Sequence, residues 1–279
     1  GRDGNLVSKY TQKFLPLEIA TQLQEQRGLR DGNNAFSRGV VQISRGLSEG
    51  LIAVSRRLSS SNNSGGKLSR NNSASNKLDE RGDEAGSGGD NSPSVPRIDP
   101  LTSDEVVDAL RKAHLNCNEK LRALSNIGSD LAGTTSVSCY MNAGKLYISN
   151  LGDSRAIIIS RGKNGHGTVV KPLSKDQTPY RKDERDRVRK YGARIMSMDQ
   201  LDGLEPIHDN WKELTLGEDL DEGGDPPRLW HPTLRVPGTA FTRSIGDFFA
   251  ENIGVTADPE IEVHDIDEQN DLYVILCSD

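Results

Sequence analysis

Clustered cysteines, paired histidines, long apolar runs and an excess of basic charge are all missing from this chain of 279 residues. The three cysteines, Cys117, Cys139 and Cys277, are odd in number and form no CxxC pair. That excludes a disulfide framework and a zinc knuckle, and makes a reducing intracellular compartment, cytoplasmic or nuclear, the expectation. The longest apolar run, residues 272–277, falls far short of the about 20 residues that span a bilayer, so no membrane partner is expected. Because the first residue is Gly1, an upstream targeting segment stays open. Lys and Arg number 35 against 41 Asp and Glu, a net charge of −6. No nucleic-acid partner is expected from that balance, and basic or cationic partners suit it better. The histidines, His114, His166, His208, His231 and His264, show no HExxH or paired spacing and read as surface or loop residues. No lysine in a Gly-Lys pair precedes Ser or Thr, and no GxGxxG follows a strand, so nucleotide-cradling folds are set aside. Cys117 and Cys139 have Ala123 and Lys145 at the sixth following position, where a cysteine phosphatase needs arginine.

Apolar residues are also scarce, at 33%, and the deficit is local. Residues 4–27 read as a helix on the spacing of Leu6, Tyr10 and Phe14, with Pro16 expected to kink or break it. From about residue 32 to residue 100 the text is Ser, Asn, Gly and Arg without a sustained period, and it reads as a disordered, low-complexity insertion. Arg56 and Arg57 precede Ser59 there, a pattern basophilic kinases read by charge, which makes Ser59 a candidate phosphorylation site. Thr102 to Glu105 has the form of a capping box, and Val106, Leu110, Ala113, Cys117, Leu121 and Leu124 follow at helical steps. After Gly133 β-branched residues predict strands over 134–141, 145–150 and 155–160 as a meander, with a further strand over 169–173. Residues 179–191 predict a charged helix stopped by Gly192, residues 198–238 an acidic flap-like loop region, and residues 242–250 a short helix. Residues 272–276 predict a buried strand that delivers Asp279 to its end. Front helices and antiparallel strands without βα alternation make the fold class α+β.

The chemistry left standing is carboxylate chemistry. Asp153 in a tight turn, Asp247 after Gly246 and Asp279 beyond a strand are oxygen donors suited to Mg²⁺ or Mn²⁺, although taken singly an Asp after Gly is as readily a turn residue. The order of motifs goes further than spacing. Gly133-Thr134-Thr135, Asn150-Leu-Gly-Asp-Ser-Arg-Ala156, Leu173-Ser-Lys-Asp176 with Gly192-Ala-Arg-Ile195, Thr242-Arg-Ser-Ile-Gly-Asp247, Asp258-Pro-Glu-Ile261 and Val274-Ile-Leu-Cys-Ser-Asp279 resemble the ordered motifs of metal-dependent serine/threonine protein phosphatases of type 2C (the PPM family). Asp176-Gln-Thr-Pro179 and residues 224–230 and 237–241 further resemble the plant and algal branch found fused to cyclic-nucleotide-binding and kinase domains.

The resemblance implies an α-β-β-α sandwich of two antiparallel sheets flanked by helices, present here as a partial domain over residues 1–279. It implies two core Mg²⁺ or Mn²⁺ ions with a weaker third, and hydrolysis of phosphoserine and phosphothreonine in protein substrates by a metal-activated water. By position, Asp279 matches a core metal ligand and Asp153 a ligand of the weaker ion, while Asp247 and Thr134 match supports behind them. The chain departs from the pattern at both ends. The Asp-Gly-His-Gly motif would end at Gly1, which places the general-acid histidine and a phosphate-gripping arginine upstream, and a late Asp-Asn motif would follow Asp279. The fragment alone is therefore expected to be weak or inactive, and the rival reading is a pseudophosphatase that keeps the fold as a binding scaffold. The acids of residues 199–225 imply substrates with basic flanks.

Overall fold

The computed structural model describes residues 2–27, 40–44, 52–54, 101–162, 165–211 and 225–278. In chain order the elements are α1 (Arg2–Gln26), β1 (Val40–Ser44), β2 (Ile52–Val54), α2 (Ser103–Arg122), β3 (Gly133–Thr134), β4 (Ser136–Asn142), β5 (Lys145–Leu151), β6 (Arg155–Arg161), β7 (Thr168–Pro172), α3 (Lys182–Arg189), β8 (Arg194–Met196), α4 (Met198–Asp202), β9 (Arg228–Trp230), β10 (Pro237–Thr239), β11 (Ile245–Gly246), α5 (Phe248–Glu251), β12 (Glu260–Asp265) and β13 (Asp271–Cys277). They belong to one compact unit built from residues 1–58 and 101–279; the other, residues 59–100, lies outside the described residues.

Helix α2 starts where the sequence places it. The Thr102 hydroxyl accepts from the Glu105 N–H and the Glu105 carboxylate accepts from the Thr102 N–H, so two donors at the helix start are satisfied. Its buried stripe, Val106, Leu110, Ala113, Cys117 and Leu121, is the expected one. His114 belongs to the same buried face, which corrects its reading as a surface residue. Its Nδ1 lies 2.8 Å from the Leu110 carbonyl one turn earlier, and burial lowers its pKa to about 4, so the ring is neutral.

Helix α1 differs from expectation on two counts. Pro16 sits inside it without ending it, because the carbonyl that loses its partner belongs to the exposed Gln12, where water can take the bond. The buried stripe is Val7, Leu15, Ile19 and Leu23, while Leu6 and Phe14 of the expected stripe are exposed. The inner stripe packs on α2 and on Tyr140, Tyr147 and Leu151, and Glu18 binds Asn116 and Lys120 across the helix pair.

Two antiparallel sheets of four strands, ordered β1-β4-β5-β12 and β2-β13-β6-β7, form the body of the unit. Side chains of β5 alternate between two cores, as a period of two requires. Leu146 and Ile148 meet Val137, Ala156, Ile158, Leu173 and Leu276 between the sheets, whereas Tyr147 and Leu151 face the helices. The predicted meander is broken: β4 and β5 form a hairpin, but the chain then crosses to the other sheet at residues 152–154. Strands β1 and β2 fall in the segment read as insertion. They pair with β4 and β13, so low-complexity text on either side hid two short apolar runs, VVQIS and IAV, that each complete a sheet edge. Strand β13 is only partly buried: Leu276 is inside, while Tyr273 is exposed on the opposite face. Residues 198–238 hold α4, β9 and β10, and β8, β9 and β10 make a small sheet of their own. Among the described residues no helix is long and apolar enough to cross a membrane.

Candidate functional site

The corner where the chain leaves one sheet for the other carries Asp153, and most of its neighbours are pinned. Gly152 has φ +101°, and a Cβ there would stand 2.3 Å from the Thr135 side chain and 3.1 Å from the Arg243 carbonyl, so only glycine fits. Its N–H donates to Gln177 Oε1 at 2.6 Å, and its carbonyl accepts from the Gln177 N–H at 2.9 Å. The Gln177 Nε2 donates to the Asn150 carbonyl at 3.2 Å. On the other side of Asp153, the Ser154 hydroxyl lies 2.9 Å from that of Thr135, and Arg155 grips Asp176 through two hydrogen bonds of 3.0 and 2.6 Å. The turn is thus rigid before any ligand arrives. Strand β13 ends at the same place, with Cys277 opposite Arg155. Asp279, the expected core ligand, lies outside the described residues, as does Ser59.

Thr134 and Asp247 meet through the short β3–β11 pairing, in which Ile245 faces Thr134 and Gly246 faces Gly133. The expected helix over 242–250 is interrupted there. Gly246 at φ +84° and Asp247 at φ +52° are left-handed, so only Phe248–Glu251 coils, as α5. The Asp247 carboxylate lies so tightly on Gly133 that a Cβ would come within 1.9 Å of Oδ2. That oxygen is buried and has no hydrogen-bond donor among the described residues. Burial pushes the carboxyl up to about 6, with the Ser244 hydroxyl opposing and Glu251 adding to the rise. Thr134 is buried in β3, its hydroxyl donating to the Thr135 carbonyl at 3.0 Å. Thr134, Asp153 and Asp247 are therefore linked through residues 133–135.

Three carboxylates that the sequence did not single out, Asp183, Glu184 and Glu260, lie close enough together to share a cation. Their charge is already answered. Glu184, 2% exposed, accepts from Arg187 and Arg243, which pull its pKa down to about 2 against the opposing effect of burial. Glu260 accepts two hydrogen bonds from Arg181, each of 2.8 Å, and lies 3.4 Å from Arg243, and Asp183 pairs with Arg181. A divalent ion would have to displace guanidinium groups here, so this donor set fits a structural network better than a metal centre. What it anchors is α3, at the far side of Gln177 from the Asp153 turn: Gln177 Nε2 also donates to Glu260 at 3.2 Å.

Gln177, Glu184 and Glu260 were missed because their roles depend on contacts 17 to 83 residues apart in sequence. The sequence signals were local, the position of Gln177 beside Asp176 and of Glu260 within Asp258-Pro-Glu-Ile261 in the quoted motifs.

A family model described as Protein phosphatase 2C matches residues 88–279. The chain is 42% identical over 182 residues to "Probable protein phosphatase 2C 35" of Arabidopsis thaliana, covering 65% of this chain and 50% of that relative. To "Probable protein phosphatase 2C 38" of Oryza sativa subsp. japonica it is 27% identical, covering 100% of this chain and 48% of the relative. A serine-threonine phosphatase 2C structure from Toxoplasma gondii is similar with a TM-score of 0.46 and 17% identity, covering 60% of this chain and 48% of that one. The chain spans at most half the length of these relatives.

Proposed function

The chain belongs to the protein phosphatase 2C family, and from that premise we propose that it is part of a metal-dependent hydrolase acting on phosphoserine and phosphothreonine in proteins. The observation that carries the reading is the corner at residues 150–155. A carboxylate sits there in a turn held from both sides, at the end of the sandwich where β13 also terminates. Such a turn holds an oxygen donor at a fixed position, which is what a hard divalent cation needs. Asp153 and Asp279 are the proposed ligands for Mg²⁺ or Mn²⁺, two core ions and a weaker third that rests on Asp153. When bound, the ions would supply positive charge to activate a water and to neutralise the phosphoryl oxygens. Asp247 and Thr134 act behind them, keeping residues 133–135 against β11. Phosphoproteins with basic flanks are the proposed substrates, and a basophilic kinase acting at Ser59 is the proposed regulatory partner.

The full-length protein should hydrolyse a phosphothreonine peptide in Mn²⁺ and not in chelator. Asp279→Ala should abolish turnover, and Asp153→Ala should lower it while core metal binding by calorimetry stays close to wild type. Equal metal loss in the two variants would overturn the ligand assignment. A full-length protein that binds a phosphoprotein but never hydrolyses it would favour the scaffold reading instead.

A further inference from the structure

Gln177 has every polar atom engaged and no exposed surface. Its N–H donates to the Gly152 carbonyl, its carbonyl accepts from the N–H of Thr242, its Oε1 accepts from the Gly152 N–H, and its Nε2 donates to Asn150 and Glu260. The amide can sit only one way round. The atom facing Gly152 N–H must accept, and the atom facing a carbonyl and a carboxylate must donate. Both backbone groups of Gly152 therefore close rings onto this single residue, immediately before Asp153.

We propose that Gln177 is a positioning residue for Asp153, a clamp that holds the turn in its left-handed form and ties it to the arginine network on α3. The proposal rests on the phosphatase reading for its catalytic consequence but not for its structural one. The far end of the clamp is itself fixed, because Glu260 is held by Arg181 and Arg243, so Gln177 cannot follow the turn if the turn moves. Gly152, with no side chain of its own, is the one residue of the corner able to relax into other backbone conformations. Removing the Gln177 side-chain amide leaves the buried Gly152 N–H without its partner, and the cheapest relief is rotation at Gly152, which swings the Asp153 carboxylate. A glutamate at 177 would be worse than an apolar residue, since it faces the Asn150 carbonyl and the Glu260 carboxylate with no donor.

Two measurements on the full-length protein test this. In the metal-free protein, hydrogen exchange of the Gly152 amide should speed up at least about tenfold in Gln177→Met, an isosteric variant with no hydrogen bonds, while amides within β4 and β6 keep their protection. Gln177→Asn, which stays polar but is a methylene short of Gly152, should show the same exchange change and serves if the Met variant does not fold. With Mn²⁺, Gln177→Met should lower kcat about tenfold or more with KM for a phosphopeptide within about twofold, since misplacing one group by an ångström costs that much or more. In an Asp153→Ala background the same substitution should change kcat less than about twofold, the non-additivity expected when one residue acts through the other. A residue that merely stabilises the fold would give additive effects in that cycle. Unchanged Gly152 exchange, or additivity, overturns the proposal. Absence of any Mn²⁺-dependent hydrolysis by the wild-type protein would overturn the phosphatase reading and leave the exchange result to decide on the clamp.

Discussion

Asp247 concentrates several costs at one residue: a left-handed backbone without glycine, a carboxylate pressed on Gly133, and a buried oxygen without a donor among the described residues. Its folded pKa, about 6, lies above the ordinary 3.8. Because the raised value means that folding favours the neutral acid, there is no electrostatic cost below pH 3.8, a growing one from there to about 6, and a full one above. At one pKa unit per 1.36 kcal/mol, the full cost is about 3 kcal/mol. Asp247→Asn should therefore raise the thermal midpoint of the metal-free protein at pH 7.5, and the gain should shrink as the pH is lowered and vanish near pH 4. A gain independent of pH would show that folding does not raise the pKa of this carboxyl. If activity falls in the same variant, the residue follows the trade of stability for function expected of a support beside a metal site. At Gly152 no such trade is available. Gly152→Ala meets both a backbone penalty and the Thr135 side chain, and should destabilise by on the order of 3 kcal/mol.

Among the elements, α3 is held mainly by charge. Its Glu184 binds Arg187 on the same helix and Arg243 before β11, with the Thr242 hydroxyl donating as well. Because its pKa falls from 4.5 to about 2 on folding, the stabilisation is complete above pH 4.5 and is lost as the pH drops toward 2. Glu184→Gln takes the carboxylate partner from Arg187 and one of two from Arg243, and removing one member of a buried pair costs about 3 to 5 kcal/mol. That loss should appear in urea titrations at pH 7 and close up below about pH 3; an equal loss at both pH values would mean packing, not charge, is responsible. Strands β1 and β2 give a sharper case. Deleting residues 59–98 should leave the thermal transition near its wild-type value, whereas deleting residues 40–98 removes an edge strand from each sheet and should lower it strongly. Equal midpoints would mean that neither edge matters. These strands also mark what the sequence could show. The capping box and stripe of α2 and the β4–β5 hairpin were legible because their signals are local and periodic. The stripe of α1 was misjudged because two apolar rows share that helix, and β1 and β2 because three to five residues are too few to announce a strand. Of the candidate site, the Asp153 turn was legible as a motif, but the clamp and the arginine network arise only when distant segments meet.

The whole molecule carries a net charge of −6, and how that charge is arranged decides what it can attract. In sequence the acids of residues 199–225 face one base, Lys212, and read as a dense negative flap. The folded arrangement lightens the described part of it. Asp202 pairs with Arg235, Asp209 with Arg189, and Asp225 lies 3.7 Å from Arg228, bases that come from outside the run or from just beyond its end. Those acids are locally balanced, and exposed pairs of this kind add little to stability or to the long-range field. The other acids of the run are Asp199, Glu205, which lies beside His208, and Glu213, Glu218, Asp219, Asp221 and Glu222, the last five outside the described residues. Electrostatic attraction of a basic peptide acts mainly on the association rate and is screened over about 8 Å at physiological salt. Arginine-flanked phosphothreonine peptides should accordingly show higher kcat/KM than acid-flanked ones at low salt, with the two converging at high salt. Replacing Glu218, Asp219, Asp221 and Glu222 by their amides should shrink the low-salt gap, and Asp202→Asn with Asp209→Asn should shrink it by a similar amount per charge removed, because taking the acid from a pair leaves its arginine as a net positive charge. If neither set matters, substrates approach from another side.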